Sequence, residues 1–184
     1  PGLKFSSDHY HDYRPHSLAV TEHQDLEGNG YLLLSGPEPD YGWEGFVDEV
    51  HELVDEHQIP LVLTIGGVPM GVPHTRPPLL TSHGNRPELV DRKNMWDAEI
   101  QIPASVQSLL ELRLGEAGHD AAGYVVHVPH YLAQVDYPTA ALELIDAIGT
   151  RLDRIFNVEK LILDEGITNT QIQSQIDEQG GLDV

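Results

Sequence analysis

Carboxylates, imidazoles and glycines gather in three short stretches, each just past an apolar run. They are residues 31–40 (YLLLSGPEPD), 61–76 (LVLTIGGVPMGVPHTR) and 124–138 (YVVHVPHYLAQVDYP). Glu38 and Asp40 are two acids in the first turn. Paired acids divide into acid and base roles when their environments differ. The plainer reading makes Asp40 a helix N-cap and leaves Glu38 in a solvated turn. Gly66 and Gly67 could let the backbone approach a ligand closely, or form a tight turn with positive φ. GGVPMG lacks the Gly-Lys-Ser/Thr of a phosphate loop and the glycine spacing of a dinucleotide fingerprint. His74, His127 and His130, with Glu38 and Asp136, are of the right types for zinc or manganese. Their spacing contains neither HExxH nor HxH, so the expectation is no bound metal and no cofactor. Arg76 is the only basic residue in the three stretches, and its planar donors suit an anionic group. No GxSxG elbow surrounds Ser35, so no catalytic residue is assigned. Tyr131, Tyr137 and Met70 form an alternative, an apolar patch for association.

These stretches need elements to position them. Residues 31–35, 61–65 and 124–128 read as strands, and an open α/β sheet binds ligands beyond the carboxyl ends of its strands. Residues 43–57 are the clearest helix. Trp43, Phe46, Val47, Val50, Leu53 and Val54 share one face. Strand, helix and strand at this length predict a βαβ unit, with 31–35 and 61–65 parallel in one sheet. Gly66-Gly67 is expected to end the second strand. Residues 79–81 read as a short strand, 83–96 as irregular, 103–118 and 139–156 as helices, and 167–179 as a polar helical tail. Residues 1–30 hold one short strand, 17–20. The alternation predicts a single three-layer α/β/α domain over 1–184, with a mixed, mainly parallel sheet.

Composition narrows the partners. Thirty acidic and ten basic residues give a formal charge of -20. That balance repels nucleic acid and anionic lipid, and favours solubility or a basic partner. There is no cysteine, which excludes disulfides and thiolate catalysis and suits a reducing cytoplasm. No apolar run approaches the roughly 20 residues that cross a bilayer. The chain opens at Pro1, as a fragment or a processed chain would.

The runs LLLSGPEPDYGWEGF (32–46), TIGGVPMGVPHTRP (64–77) and VPHYLAQVDYP (128–138) together resemble the proteasome assembly chaperone two (PAC-two) family, in its actinobacterial branch. DHYHDYRP (8–15) resembles that family's Asp-Tyr-Arg segment. Family members usually run longer and begin with an additional strand, so that strand is expected to be absent here. The resemblance implies a fold like that of nucleoside phosphorylases and related hydrolases, a homo-oligomer with a trimer as one form, and a protein partner. It supplies no catalytic residues. The leading expectation is therefore a noncatalytic, self-associating interaction domain. The runner-up is a hydrolase-like or phosphorylase-like enzyme or ligand binder, using Glu38, Asp40, Gly66, Gly67, His74, Arg76, His130, Tyr131 and Asp136.

Overall fold

The alternating apolar and amphipathic stretches become seven strands and four helices in the computed structural model, which describes residues 2–15, 17–90 and 99–180. Part of the irregular stretch expected over 83–96 lies outside the described residues. Its first part forms a 3-10 turn, Pro87–Leu89.

Strands β1 (Gly2–Ser6) and β2 (His9–Arg14) form an antiparallel hairpin where the sequence suggested irregular chain. Strand β3 (Ala19–Gln24) pairs with β4 (Gly30–Ser35), residue for residue from Ala19↔Ser35 to Gln24↔Gly30. Helix α1 (Trp43–Glu56) then leads to β5 (Val62–Met70). Strand β6 (Leu80–Gly84), helix α2 (Val106–Ala117), strand β7 (Ala121–Pro129), helix α3 (Pro138–Leu152) and helix α4 (Glu159–Gly180) complete the order.

The sheet expectation needs correcting. Strands β4 and β5 are not in one sheet: β4 is claimed by β3 in a two-stranded ladder, and β5 pairs with β7. Only the start of β3 has an apolar pattern, and its polar continuation TEHQ hides the strand that occupies β4 as partner. The larger sheet has the order β5-β7-β6, with β5 parallel and β6 antiparallel to the central β7. It is mixed, with one pair of each kind, rather than mainly parallel.

Side-chain parity on β7 places the core. Ala121 clusters with Val47 and Val54 of α1 and with Leu110 and Leu114 of α2. Val126 clusters with Leu132, Tyr137, Ala140 of α3 and Ile172 of α4. Residues 121 and 126 differ by an odd number, so they point to opposite faces of the strand. Strand β7 is therefore buried on both faces, which explains its continuous apolar and small-residue run, AAGYVVHVP.

Helix α1 begins at Gly42, whose φ of 75° lies in the left-handed region, with no side-chain cap. Asp40 is thus not the N-cap that its position suggested. Instead the Trp43 indole N–H donates to the Pro39 carbonyl at 2.7 Å, shaping the turn before the helix. Helix α2 is capped more fully. Ser105 and Ser108 form a reciprocal capping box, and Gly118 closes the far end at φ 92°. Arg113 of α2 donates from Nη2 and Nε to the two Glu44 oxygens at 2.6 and 3.1 Å, tying the two helices together.

Candidate functional site

Because β5 and β7 are parallel, their carboxyl ends reach the same edge of the sheet. The loop after Met70 and the 3-10 turn His130–Leu132 after Pro129 meet there. The Tyr131 hydroxyl accepts the His74 backbone N–H at 2.9 Å and lies 2.7 Å from His74 Nδ1. Both contacts are satisfied when the hydroxyl gives its own proton to Nδ1, which leaves His74 protonated on Nε2. The His130 ring sits edge-on to Tyr131 with centroids 5.5 Å apart. The fold thus brings together three of the residues singled out by sequence: His74, His130 and Tyr131.

Gly67 and Asp136 meet in an adjoining groove of about 280 Å³, walled by Pro69, Val128, Leu132 and Val135. Gly66 and Gly67 do not end β5 as the sequence suggested. They lie inside it, opposite Val125 and Val126 of β7. A Cβ on Gly67 would stand 3.4 Å from Val128 and 3.7 Å from Val126, ordinary contact distances, so the residue lies within a packed strand rather than in a turn. Pro69 is tolerated because β5 is an edge strand with its outer ladder unpaired in this sheet. At the base of the groove, burial pushes the Tyr137 hydroxyl above its ordinary pKa.

Glu38 has a structural task elsewhere. Its carboxylate accepts the Val106 backbone N–H at 2.6 Å, at the positive end of α2. Asp40 and Arg76 are exposed. Nor do the three strand-end histidines converge. His127 points to the α1–α2 side of the sheet by the same parity as Ala121, whereas His74 and His130 occupy the edge turns.

His127 is 2% exposed, and its Nε2 lies 2.9 Å from the Thr81 hydroxyl. Its Nδ1 has no partner among the described residues. Burial holds the imidazole below its ordinary pKa, so it is neutral at physiological pH. On the same face, Thr64, Gly123 and His83 stand side by side across the three strands. A Cβ on Gly123 would clash with His83 Cε1 and Thr64 Oγ1, so the absent side chain is what lets them share the space. His83 Nδ1 is 2.8 Å from a Glu111 oxygen of α2. This carboxylate-oriented imidazole escaped the sequence reading. Glu111 looks like one more polar residue of a helix, and only the β6–β7 pairing reveals its partner.

The arrangement is an α/β domain with a mixed sheet, a groove with apolar walls at the ends of β5 and β7, and a His74–Tyr131 pair in the turns that follow those strands. Among the described residues, no helix is long and apolar enough to cross a membrane.

The chain belongs to the PAC2 family, whose family model matches residues 1–176. It is similar to a Mycobacterium tuberculosis protein of unknown function, with 36% identity and a TM-score of 0.87 over 97% of this chain and 60% of that one. It is also similar to a Corynebacterium glutamicum protein of unknown function, with 31% identity and a TM-score of 0.85 over 97% of this chain and 66% of that one. The chain therefore spans less than two thirds of either relative. A Mycobacterium tuberculosis proteasome-assembly chaperone homologue shares the fold, with a TM-score of 0.85 at 19% identity over 96% of this chain and 75% of that one. These neighbours fit the actinobacterial branch. No curated protein matches the chain.

Proposed function

We propose that this chain is a noncatalytic, cytoplasmic interaction domain of assembly-chaperone type, which associates with further copies of itself through the strand-end surface. A trimer is one such form. The observation that carries this reading is the apolar character of that surface. Tyr131 and Val135 are 50% and 56% exposed beside the groove, whose walls include Pro69, Val128 and Leu132. An apolar patch flanked by polar groups is how interaction surfaces present themselves. The titratable groups here offer no comparable case for catalysis: Glu38 caps a helix, Tyr131 engages His74, and no nucleophile is activated by either. Helices packed on both faces of β7 support a three-layer α/β/α arrangement, as in phosphorylase-like folds.

Light scattering tests this reading. The expected outcome is a wild-type mass that is a multiple of the monomer, reduced by Val135→Asp and unchanged by His130→Ala. A second reading, a small-molecule binder, is favoured by the groove that joins Gly67 to Asp136 beside the His74–Tyr131 pair. A wild type that stays monomeric, gains several degrees of melting temperature with a nucleoside or phosphate, and loses that gain in His130→Ala would replace the first reading with the second.

A further inference from the structure

Far from the strand-end groove, three side chains from two separate segments turn their ligand atoms toward one another. His51 and Asp55 lie one helical turn apart on α1, and His119 lies in the turn between α2 and β7. The two Nε2 atoms are 2.9 Å apart. His119 Nε2 is 3.2 Å from one Asp55 oxygen, and His51 Nε2 is 3.7 Å from the other. One atom from each residue can be chosen so that all three lie within 4.8 Å of one another.

We propose that His51, Asp55 and His119 form a binding site for a borderline divalent transition metal, of which zinc is the type. The donor set argues for this class. Two imidazoles and one carboxylate suit zinc and its neighbours, whereas calcium and magnesium seek oxygen-rich shells. Spacing agrees with it. A tetrahedral ion with bonds of about 2.0–2.1 Å has donor atoms about 3.3–3.4 Å apart. The two Nε2 atoms are 2.9 Å apart and each has an Asp55 oxygen at 3.2 or 3.7 Å, so a small movement of the carboxylate brings one oxygen into that spacing. Without a cation, one ring must carry its proton on Nε2 to bridge to the other. With one, both rings hold their protons on Nδ1, and both Nε2 lone pairs are used. Three protein donors leave a fourth position for water, and all three side chains are reachable, at 36%, 63% and 24% exposure for His51, Asp55 and His119.

Hydrogen bonds and packing tie down the frame that holds these donors. His119 N–H donates to the Leu114 carbonyl at 2.9 Å, and Asn85 Nδ2 donates to the His119 carbonyl at 2.6 Å. Val62 N–H fixes the following residue through the Asp120 carbonyl at 3.0 Å, and Ala121 N–H donates to Asn85 Oδ1 at 3.1 Å. On the other side, α1 is fixed by Val47 and Val54 packing against Leu110 and Leu114. The donors therefore need little reorganisation to close on an ion. The bound metal would fasten the C-terminal end of α1 to the α2–β7 turn. The surplus of negative charge on the chain draws cations toward it.

Chelator-treated full chain titrated with Zn2+ by calorimetry, and with Co2+ by visible absorption, tests the site. The chain has 11 histidines, so adventitious binding is the competing outcome. The expected result is one equivalent of Zn2+, four-coordinate Co2+ bands and a raised melting temperature. His119→Ala and Asp55→Asn should each weaken Zn2+ binding by more than about 100-fold, beyond the 10–100-fold that the loss of an outer-shell partner costs. His74→Ala should leave it unchanged. Should His119→Ala fail to fold without metal, Asp55→Asn decides the matter, since that residue is exposed and its replacement is isosteric. No stoichiometric binding by the wild type, binding retained by the folded variants, or equal weakening in His74→Ala would each overturn the site.

Discussion

His127 shows how one buried ring links the sheet to pH. It is held neutral by burial, with Thr81 as its side-chain partner. In the unfolded chain the same ring titrates near 6.5. The unfolded state therefore binds the proton more readily, and stability grows with pH across that interval. The contribution is fully present above about pH 6.5 and is lost as pH falls toward the depressed folded value. Urea unfolding at a series of pH values should show wild-type stability declining below neutrality, and His127→Gln should flatten that decline. Parallel curves for the two proteins would show that the ring is not buried in its neutral form. Its neighbour Gly123 is constrained by space. Gly123→Ala puts a methyl group against His83 and Thr64, and should destabilise the fold by about 1–3 kcal/mol. A loss below about 0.3 kcal/mol in denaturant unfolding would mean that both side chains move aside freely.

At the scale of elements, the α1–α2 face carries much of the packing on one side of β7. The helical period of residues 43–57 marks that face, with Phe46 and Val50 in the middle of its apolar positions. The fold shifts the centre slightly: Val47 and Val54 are fully buried, while Phe46 and Val50 pack at the margin. Leu114, 1% exposed, sits at the middle of the cluster. Leu114→Ala should therefore cost about 2–5 kcal/mol, and Val50→Ala clearly less. Equal losses in urea unfolding would contradict this ranking. Periodicity made α1 and α3 legible, because burying one face of a helix leaves a mark every three or four residues. Pairing partners left no such mark. Nothing within residues 31–35 says that β3, rather than β5, completes its ladder. Gly66-Gly67 reads as a terminator because glycine usually punctuates strands, and only the valines packed over Gly67 show why this strand continues. The strand-end grouping of His74, His130 and Tyr131 was legible because turns after parallel strands converge. The His51–Asp55–His119 cluster was not, since 63 residues lie between Asp55 and His119.

The β3–β4 ladder is anchored by a second polar device. Asp25 accepts the backbone N–H groups of Glu27 and Asn29 at 2.9 and 2.8 Å, and the Asn29 side-chain amide at 2.9 Å. Arg154 lies 3.8 Å from its buried oxygen and donates to the Asn29 and Gly30 carbonyls. Burial alone would raise the Asp25 pKa. The hydrogen bonds from Asn29 and Glu27, with the Arg154 charge, outweigh it and hold the carboxyl below its ordinary value. A depressed carboxyl stabilises the fold above its unfolded pKa of 3.8, and that contribution fades as pH falls through the folded value. Amide exchange in β3 and β4 should therefore accelerate below about pH 4 ahead of exchange in β7. Asp25→Asn should show fast exchange in those strands already at neutral pH. Uniform protection across both sheets at every pH would show that the ladder is not held through Asp25.

For the whole molecule, charge sets the sign of the salt response. Each copy carries a formal charge of -20, so two copies that meet through an apolar surface do so against mutual repulsion. Screening shortens the reach of that repulsion from about 30 Å at 0.01 M salt to about 10 Å at 0.1 M. Self-association should consequently strengthen several-fold as salt rises through this range. Capture of a basic protein partner would weaken over the same range, because attraction is screened as readily as repulsion. Nucleic acid should not be retained at either salt, since phosphate adds to the repulsion and no basic stripe offsets it. Sedimentation at three protein concentrations and two salt concentrations reads the first response directly. If the oligomer instead dissociates as salt is added, charge pairs between copies hold it together rather than the Val135 and Tyr131 surface, and the apolar account of assembly fails.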